Sequence, residues 1–469
     1  MDPSKNPWRR RLTDLKTERA DYEAQWLEIS EFMAPGRLRR YRTDRDSAKQ
    51  KKHQQIVDET ALRARRVFIA GFVSGMTSPA RPWFKLITGD TDMMEFHAVK
   101  EWLEEVERRI RLVLQRSNFY QAIPQAYDDL GTFGTCALGV REDVETAAWF
   151  YAHPVGEWSI ASNDRHMVDV FYRETSLSVA QIYQRFGTEG MSTACRALWE
   201  ADKTEARVPV VQAVEPNDER NNKAIDWRRF PYRSVWFEEK DGGEKYLGKS
   251  GFSEFPVMAG RWYATAADDY GIDCPGMTAL GGVKQLQHEQ KRKAQAIDLM
   301  VRPPIQAPTS MQRQPMSLLP GGVNYYDEAG PGSGIKPIYE LQPRLDYLLA
   351  DIAEVQNRIN ESFFVDMFLM ISQQDDVRTA TEVALRNEEK LLVLGPALQR
   401  VQTEILDPCI DRVFNILLRA GALPEPPAEL EGEDLRVEYI SMLATAQQSV
   451  GAQSIERFIG AVGNLSALN

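Results

Sequence analysis

Residues 243–250 read Gly-Glu-Lys-Tyr-Leu-Gly-Lys-Ser. They fit G-x-x-x-x-G-K-[ST], the pattern of a loop whose amides and lysine cradle phosphates. That chemistry needs a strand before the loop and a helix after it, with the helix N-terminus facing the anion. Here Ser250 is followed by Gly-Phe-Ser-Glu-Phe-Pro, which cannot start a stable helix. Residues 234–240 and 246–249 read instead as two arms of a β-hairpin turning at Asp241-Gly242-Gly243. The acidic pairs Asp128-Asp129, Asp268-Asp269 and Asp375-Asp376 are the residue type that metal-assisted nuclease chemistry uses. Adjacent residues point apart, however, so each pair reads as a solvated turn or helix face. The five histidines show no HxH or HxxxH spacing, and the four cysteines no CxxC. A structural metal is therefore not expected, and Cys136, Cys195, Cys274 and Cys409 read as buried, reduced thiols. The enzyme alternative, a P-loop or metal-dependent DNA-processing protein, rests on Lys249 and on Asp375 and Asp376. Neither candidate has the flanking structure its chemistry requires, and no cofactor is expected.

The elements around these residues say more. Residues 8–34 space Leu12, Leu15, Tyr22, Trp26, Ile29 and Phe32 as a surface helix ending before Pro35-Gly36. A basic stretch follows from Arg37 to Lys52 and reads as a solvated loop. Residues 58–77 form a helix rich in Ala, Gly and Ser, suited to close packing. Two more helices span 95–115 and 119–130. From 137 to 262 the texture is β, with aromatic and β-branched runs at 149–151, 168–172, 208–214 and 234–237. One helix interrupts it, capped by Ser178 and ended by Gly187. Trp83, Phe84, Trp262 and Tyr263 read as core aromatics.

Two helical runs, 276–301 and 344–370, then flank a Pro/Gly-rich insert at 302–343. Each would span roughly 40 Å at 1.5 Å per residue. The first carries Lys284, Lys291, Arg292 and Lys293, the second Asp351, Glu354 and Glu361. Opposite signs suit pairing within the hairpin or between neighbouring copies. A polar break at 371–378 leads into a helix from 379 to 420, interrupted by Gly395-Pro396 and by Pro408. A Pro/acidic linker and a final helical region over 436–468 complete the reading.

The 469 residues allow two to four domains. No apolar run is long enough for a membrane span, and MDPSKNPWRRRL has no apolar core of a secretory signal. The net charge of −11 disfavours a tight, static grip on DNA phosphates. It permits contact with DNA that must slide.

Six pieces in order resemble the head-to-tail connector, or portal, proteins of short-tailed bacteriophages. They are Trp26 to Ile29 with Pro35; Asp58 to Ala61 through Met76-Thr-Ser-Pro79; Pro82-Trp-Phe84; Ser117-Asn-Phe119 with Asp129-Leu130 through Gly134-Thr135; Phe255-Pro256, Arg261-Trp262 and Tyr270-Gly271; and Thr379 to Val383 with Arg386. The resemblance covers nearly the whole chain. It departs where Tyr270-Gly271 is followed by Ile-Asp-Cys-Pro, and its C-terminal part is short for the family.

The resemblance implies an α+β, mainly helical subunit with wing, helical stem, clip and crown, assembling into a ring with a central channel. It divides the chain into wing (1–275), stem helix 1 (276–301), clip (302–343), stem helix 2 (344–370), tunnel loop (371–378), kinked wing helix (379–425) and crown (426–469). Gln373, Gln374, Asp375, Asp376 and Arg378 would then face the DNA channel. Lys284, Lys291, Arg292, Lys293, Asp351, Glu354 and Glu361 would lie at subunit contacts of the stem. Arg313, Tyr325, Tyr326 and Lys336 would dock partners at the clip. The implied role is structural, without catalysis, in genome packaging and ejection at one capsid vertex. The implied partners are sister copies (a ring of twelve), the terminase large subunit, a tail adaptor, capsid and scaffolding proteins, and passing double-stranded DNA. The implied location is the virion, reached through assembly in the host cytoplasm.

Overall fold

A computed structural model describes residues 7–35, 37, 56–89, 93, 96–239, 246–301, 305–306, 336–337, 345–372, 388–430 and 435–447. Among them helices predominate and strands form four sheets.

The N-terminal helix α1 (Pro7–Phe32) buries Trp8, Leu12, Leu15, Trp26 and Ile29 on one face. Trp26 Nε1 donates to the Phe133 carbonyl at 3.1 Å, fixing α1 to the body. Helix α2 (Thr60–Met76) uses its small residues for contact. A Cβ at Gly71 would fall 2.3 Å from the Phe368 ring, and one at Gly75 2.6 Å from Leu443. Only glycine lets those side chains seat against the helix. Strand β1 (Phe84–Thr88), α3 (His97–Arg116) and α4 (Phe119–Phe133) follow.

Strand β2 (Thr135–Asp143) lies between β3 (Ala147–Ala152) and β9 (Val257–Arg261) in one antiparallel sheet. A second sheet runs β4-β5-β6-β7-β8, over Trp158–Ser162, Val168–Ser178, Arg207–Pro216, Tyr232–Glu238 and Gly248–Phe252. The helix expected after Ser178 is α5 (Val179–Phe186), with both bonds of a capping box between Ser178 and Gln181. A second helix, α6 (Thr193–Glu200), was not expected. Ser192 caps it by accepting from the Cys195 amide at 3.1 Å, and Glu238 in turn accepts from the Ser192 hydroxyl at 2.7 Å.

Two helices form the long hairpin: α7 (Pro275–Val301) and α8 (Leu345–Ser362). The second is shorter than the run over 344–370. It is interrupted at Phe364, whose φ of 53° lies in the left-handed region, and α9 (Val365–Ser372) begins after it. Strand pair β10 (Ile305–Gln306) and β11 (Lys336–Pro337) joins the two ends of the Pro/Gly-rich insert.

Helix α10 (Glu388–Val401) keeps Pro396 within it, so Gly395-Pro396 does not break it as expected. The irregularity lies later, in a π-turn at Gln402–Leu406. Pro408 stands in the first turn of the next helix, α11 (Asp407–Arg419). A proline there cannot donate to the preceding turn, and the widened turn takes up that mismatch. The helix expected from 436 begins instead as strand β12 (Leu435–Tyr439), which pairs with β1 from Phe84↔Tyr439 to Thr88↔Leu435. Only 442–447 are helical beyond it among the described residues.

The largest core gathers α1, α2, α4, the β2 sheet, the base of the hairpin and α10–α11. Phe68 and Phe72 contact Trp262 and Phe368, and Phe68 also meets Phe363. All four cysteines are buried and unpaired.

Candidate functional site

The phosphate-loop pattern folds as the hairpin that its composition indicates. Strands β7 and β8 pair Trp236 with Gly248 and Val235 with Lys249. Lys249 Nζ sits 4.4 Å from the Tyr246 ring centroid and 5.3 Å from that of Trp227. No helix follows Ser250, and the described part of the pattern, 246–250, runs into the β-ladder rather than into a helix N-terminus.

Asp128 and Asp129 are not solvated, contrary to expectation. Both are buried on α4, facing two guanidiniums. Arg37 Nη2 lies 2.6 Å from Asp129 and Arg65 Nε 2.8 Å from Asp128. Arg37 Nη2 also donates to the Gln125 carbonyl at 2.9 Å. Burial, outweighing Arg37, pushes the Asp129 carboxyl up to about 7. The first residue of the basic stretch is thus an internal anchor rather than part of a solvated loop; residues 38–55 lie outside the described residues. Asp268 caps a turn with Thr265, and Asp269 accepts from the Ser162 amide at 2.9 Å. Tyr263 is half exposed rather than core, whereas Trp83 and Phe84 are buried and Trp262 is partly so.

The hairpin α7–α8 is the element that leaves the body. Its base is locked. Leu280, Val283 and Leu286 of α7 are buried with Ile352, Val355 and Ile359 of α8, and Gly282 faces Ile359 and Val355. Helix α7 starts against α4, where a Cβ at Gly276 would fall 2.3 Å from the Thr132 carbonyl oxygen. A polar clasp then holds both helices to the N-terminus of α2. The Gln287 side chain accepts from the amides of Val57 and Asp58 at 2.6 and 2.9 Å and donates to the Asp58 carbonyl at 2.9 Å. The Asp58 carboxylate accepts from Gln290 of α7 at 2.9 Å and Gln356 of α8 at 3.0 Å. Burial opposes its charge, but the bonds from Thr60, Gln356 and Gln290 hold its pKa below the usual carboxylate range.

The far half of the hairpin is largely exposed among the described residues. Beyond Gln287 no residue of α7 is buried. Ile297, Met300, Val301, Tyr347 and Leu349 are exposed apolar side chains. Of the stem residues singled out by charge, Lys284 pairs with Glu28 of α1 at 2.6 Å, inside the chain. Lys291 and Arg292 are exposed and Lys293 half-buried; Asp351, Glu354 and Glu361 are exposed. Among the described residues no ion pair joins α7 to α8. Their polar link there is Arg358 to Gln285 at 3.5 Å.

Gln373, Gln374, Asp375, Asp376, Arg378, Arg313, Tyr325 and Tyr326 lie outside the described residues. Lys336 is in β11, opposite Gln306. Residues 371 and 372, the expected start of the polar break, are the last turn of α9.

Sequence reasoning missed the π-turn lock. Glu404 accepts from the Arg261 amide at 2.8 Å and pairs with the guanidiniums of Arg261 and Arg400 at 2.9 and 3.0 Å. The i,i+4 spacing of Arg400 and Glu404 was the available signal; the distant partner on β9 left none.

The profile of the family described as "Bacteriophage head to tail connecting protein" matches residues 5–469. The chain is 44% identical over 458 residues to the portal protein of Salmonella phage epsilon15, covering 97% of this chain and 82% of that one. It is 42% identical over 459 residues to the probable portal protein of Bordetella phage BPP-1, covering 98% and 82%. Among solved structures, a chain of the virion of a native gene transfer agent particle aligns at 12% identity and TM-score 0.35, covering 87% of this chain and 86% of that one. The neck of an empty gene transfer agent particle aligns at 10% and 0.34, covering 87% and 89%. On the full-length profile match and the two phage relatives, the chain belongs to the bacteriophage head-to-tail connecting protein family.

Proposed function

We propose that this chain is the structural subunit of a phage portal, a closed ring at one capsid vertex through which DNA is packaged and later ejected. In this reading twelve copies stand side by side, with α7 and α8 as stem, the insert between them as clip, and 373–378 toward the channel. The ring docks the terminase large subunit and a tail adaptor, contacts capsid and scaffolding proteins, and has no catalysis of its own. It assembles in the host cytoplasm and ends in the virion.

The observation that carries this reading is the division of the hairpin. Its base is packed and clasped into the body, while its far half exposes apolar side chains such as Ile297, Met300 and Val301, and no residue of α7 beyond Gln287 is buried. A rod anchored at one end and bare at the other is stabilised by like rods beside it. The acidic balance of the chain supports a passage that does not trap DNA.

Mass photometry and axial electron-microscope views of the purified protein test it. The expected result is a ring with a central hole. Particles of ring mass without a through-channel, or a monomer persisting under all assembly conditions, would overturn it.

A further inference from the structure

On one face of the five-stranded sheet, directly opposed residues form a row: Trp158 of β4, Arg173 of β5, Gln212 of β6, Trp236 of β7 and Gly248 of β8. Residues paired across antiparallel strands share a face, so the Arg173 guanidinium and the Gln212 amide project together. Two more guanidiniums arrive from other elements. Arg141, on β2 of the neighbouring sheet, donates to Gln212 Oε1 at 3.2 Å and lies 5.0 Å from the Tyr151 ring centroid. Arg185, on α5, lies 4.2 Å from the Trp236 ring centroid.

Three positive charges therefore lie close enough to act on one another near Gln212, and among the described residues little negative charge answers them. Among the described residues, Glu157 is the carboxylate paired with any of the three, at 3.5 Å from Arg173. Arg173 Nε is buried without a hydrogen-bond partner. Arg141 and Arg185 have aromatic faces and one amide oxygen in place of a carboxylate. His153, stacked on Tyr151 at 6.3 Å, adds no compensation, because burial and the charges of Arg173 and Arg141 hold it neutral. Burial, and then repulsion from Arg185, also pulls the Arg141 pKa down to about 10. Arg37, Arg65, Arg261 and Arg412, by comparison, each pair closely with a carboxylate. The contrast is what marks this cluster. Arg141 and Arg173 are half-buried and Arg185 is at the surface beside them, and like charges gathered where two of them are partly desolvated cost free energy unless an anion joins them.

We propose that Arg141, Arg173 and Arg185 form a binding site for one compact oxyanion of the phosphate or carboxylate type. The planar guanidinium forks suit two or three oxygens of a single group. The source is either a free phosphate-like anion or a carboxylate presented by a neighbouring protein.

The test uses the full chain at constant ionic strength, with chloride as reference. Inorganic phosphate and, separately, N-acetylglutamate are titrated while the melting temperature and binding heat are followed. Saturable stabilisation by at least one anion is expected. Arg141→Gln and Arg185→Gln should each weaken it by about tenfold, the equivalent of one charge-assisted bond. Among the described residues Arg185 contacts the Phe186 and Trp236 rings and no carboxylate, so its variant keeps the fold even if Arg141→Gln does not, and circular dichroism in chloride checks both. Saturation by phosphate alone assigns a free anion, and saturation by N-acetylglutamate as well assigns a protein carboxylate. A non-saturating response to both anions, an equal response in folded Arg185→Gln, or binding of duplex DNA that neither anion displaces would overturn the proposal.

Discussion

At the scale of single residues, charges inside this subunit act as fasteners. Glu404 is the clearest case. The π-turn pushes it out toward β9, where it answers the Arg261 amide and two guanidiniums at once. Glu404→Ala removes the carboxylate and leaves Arg261, only 4% exposed, without its counter-charge. The expected cost is about 3 kcal/mol, read as a lower urea midpoint at unchanged slope. Asp129 makes a different prediction. Below about pH 4 its carboxyl is protonated in folded and unfolded chains alike. As pH rises the unfolded chain ionises first, while burial keeps the folded group protonated until about 7. The folded state then holds the extra proton, so this group's contribution falls with rising pH and levels off above about 7. Asp129→Asn should flatten that decline, by up to roughly 4 kcal/mol over the window. Urea midpoints of both proteins at a series of pH values check it, and parallel curves would show that Asp129 does not titrate there.

At the scale of elements, the hairpin depends on a clasp that periodicity cannot reveal. The two helical runs at 276–301 and 344–370 were legible in the sequence on either side of the Pro/Gly-rich insert. The β-hairpin at 232–252 was legible from its turn residues. Gln287, Gln290 and Gln356 were not, since a glutamine on a charged helix looks like any solvated residue. Their roles come from Asp58, more than two hundred residues away in the chain. The same remoteness hid β12, whose alternating pattern is short and whose partner β1 lies at the other end of the sequence. The stop in α8 at Phe364 was hidden too, because its apolar neighbours continue the helical pattern while the backbone turns left-handed. Gln287→Ala is expected to leave the Val57 and Asp58 amides without their acceptor, at a cost of about 2 kcal/mol. Hydrogen exchange should speed up in α7 and α8 near the clasp and stay unchanged in the five-stranded sheet. Uniform acceleration everywhere would mean that the clasp stabilises the whole fold rather than the seat of the hairpin.

At the scale of the whole molecule, the exposed faces of the hairpin carry charge as well as apolar surface. Lys291 and Arg292 are exposed on α7, and Asp351 and Glu354 are exposed on α8. Since no ion pair joins the two helices among the described residues, the opposite signs are not used to close the hairpin on itself. In a ring, every hairpin has one neighbour on each side, and a head-to-tail interface repeats the same contact until it closes. A basic face can then meet the acidic face of the next copy. Reversing both basic residues, Lys291→Glu with Arg292→Glu, should set like charges against each other and shift particles from rings toward smaller species. Adding Asp351→Lys and Glu354→Lys to the same chain swaps the two faces and should restore rings, because the complementarity returns with its sign inverted. High salt should mimic the first variant in the wild type, since the screening length falls from about 10 Å at 0.1 M to about 3 Å at 1 M. Mass photometry of the three proteins at low and high salt reads all of this. Rings that form equally well in the two-residue reversal would show that these charges face solvent, and the apolar patch of Ile297, Met300, Val301, Tyr347 and Leu349 would then be left to hold the copies together.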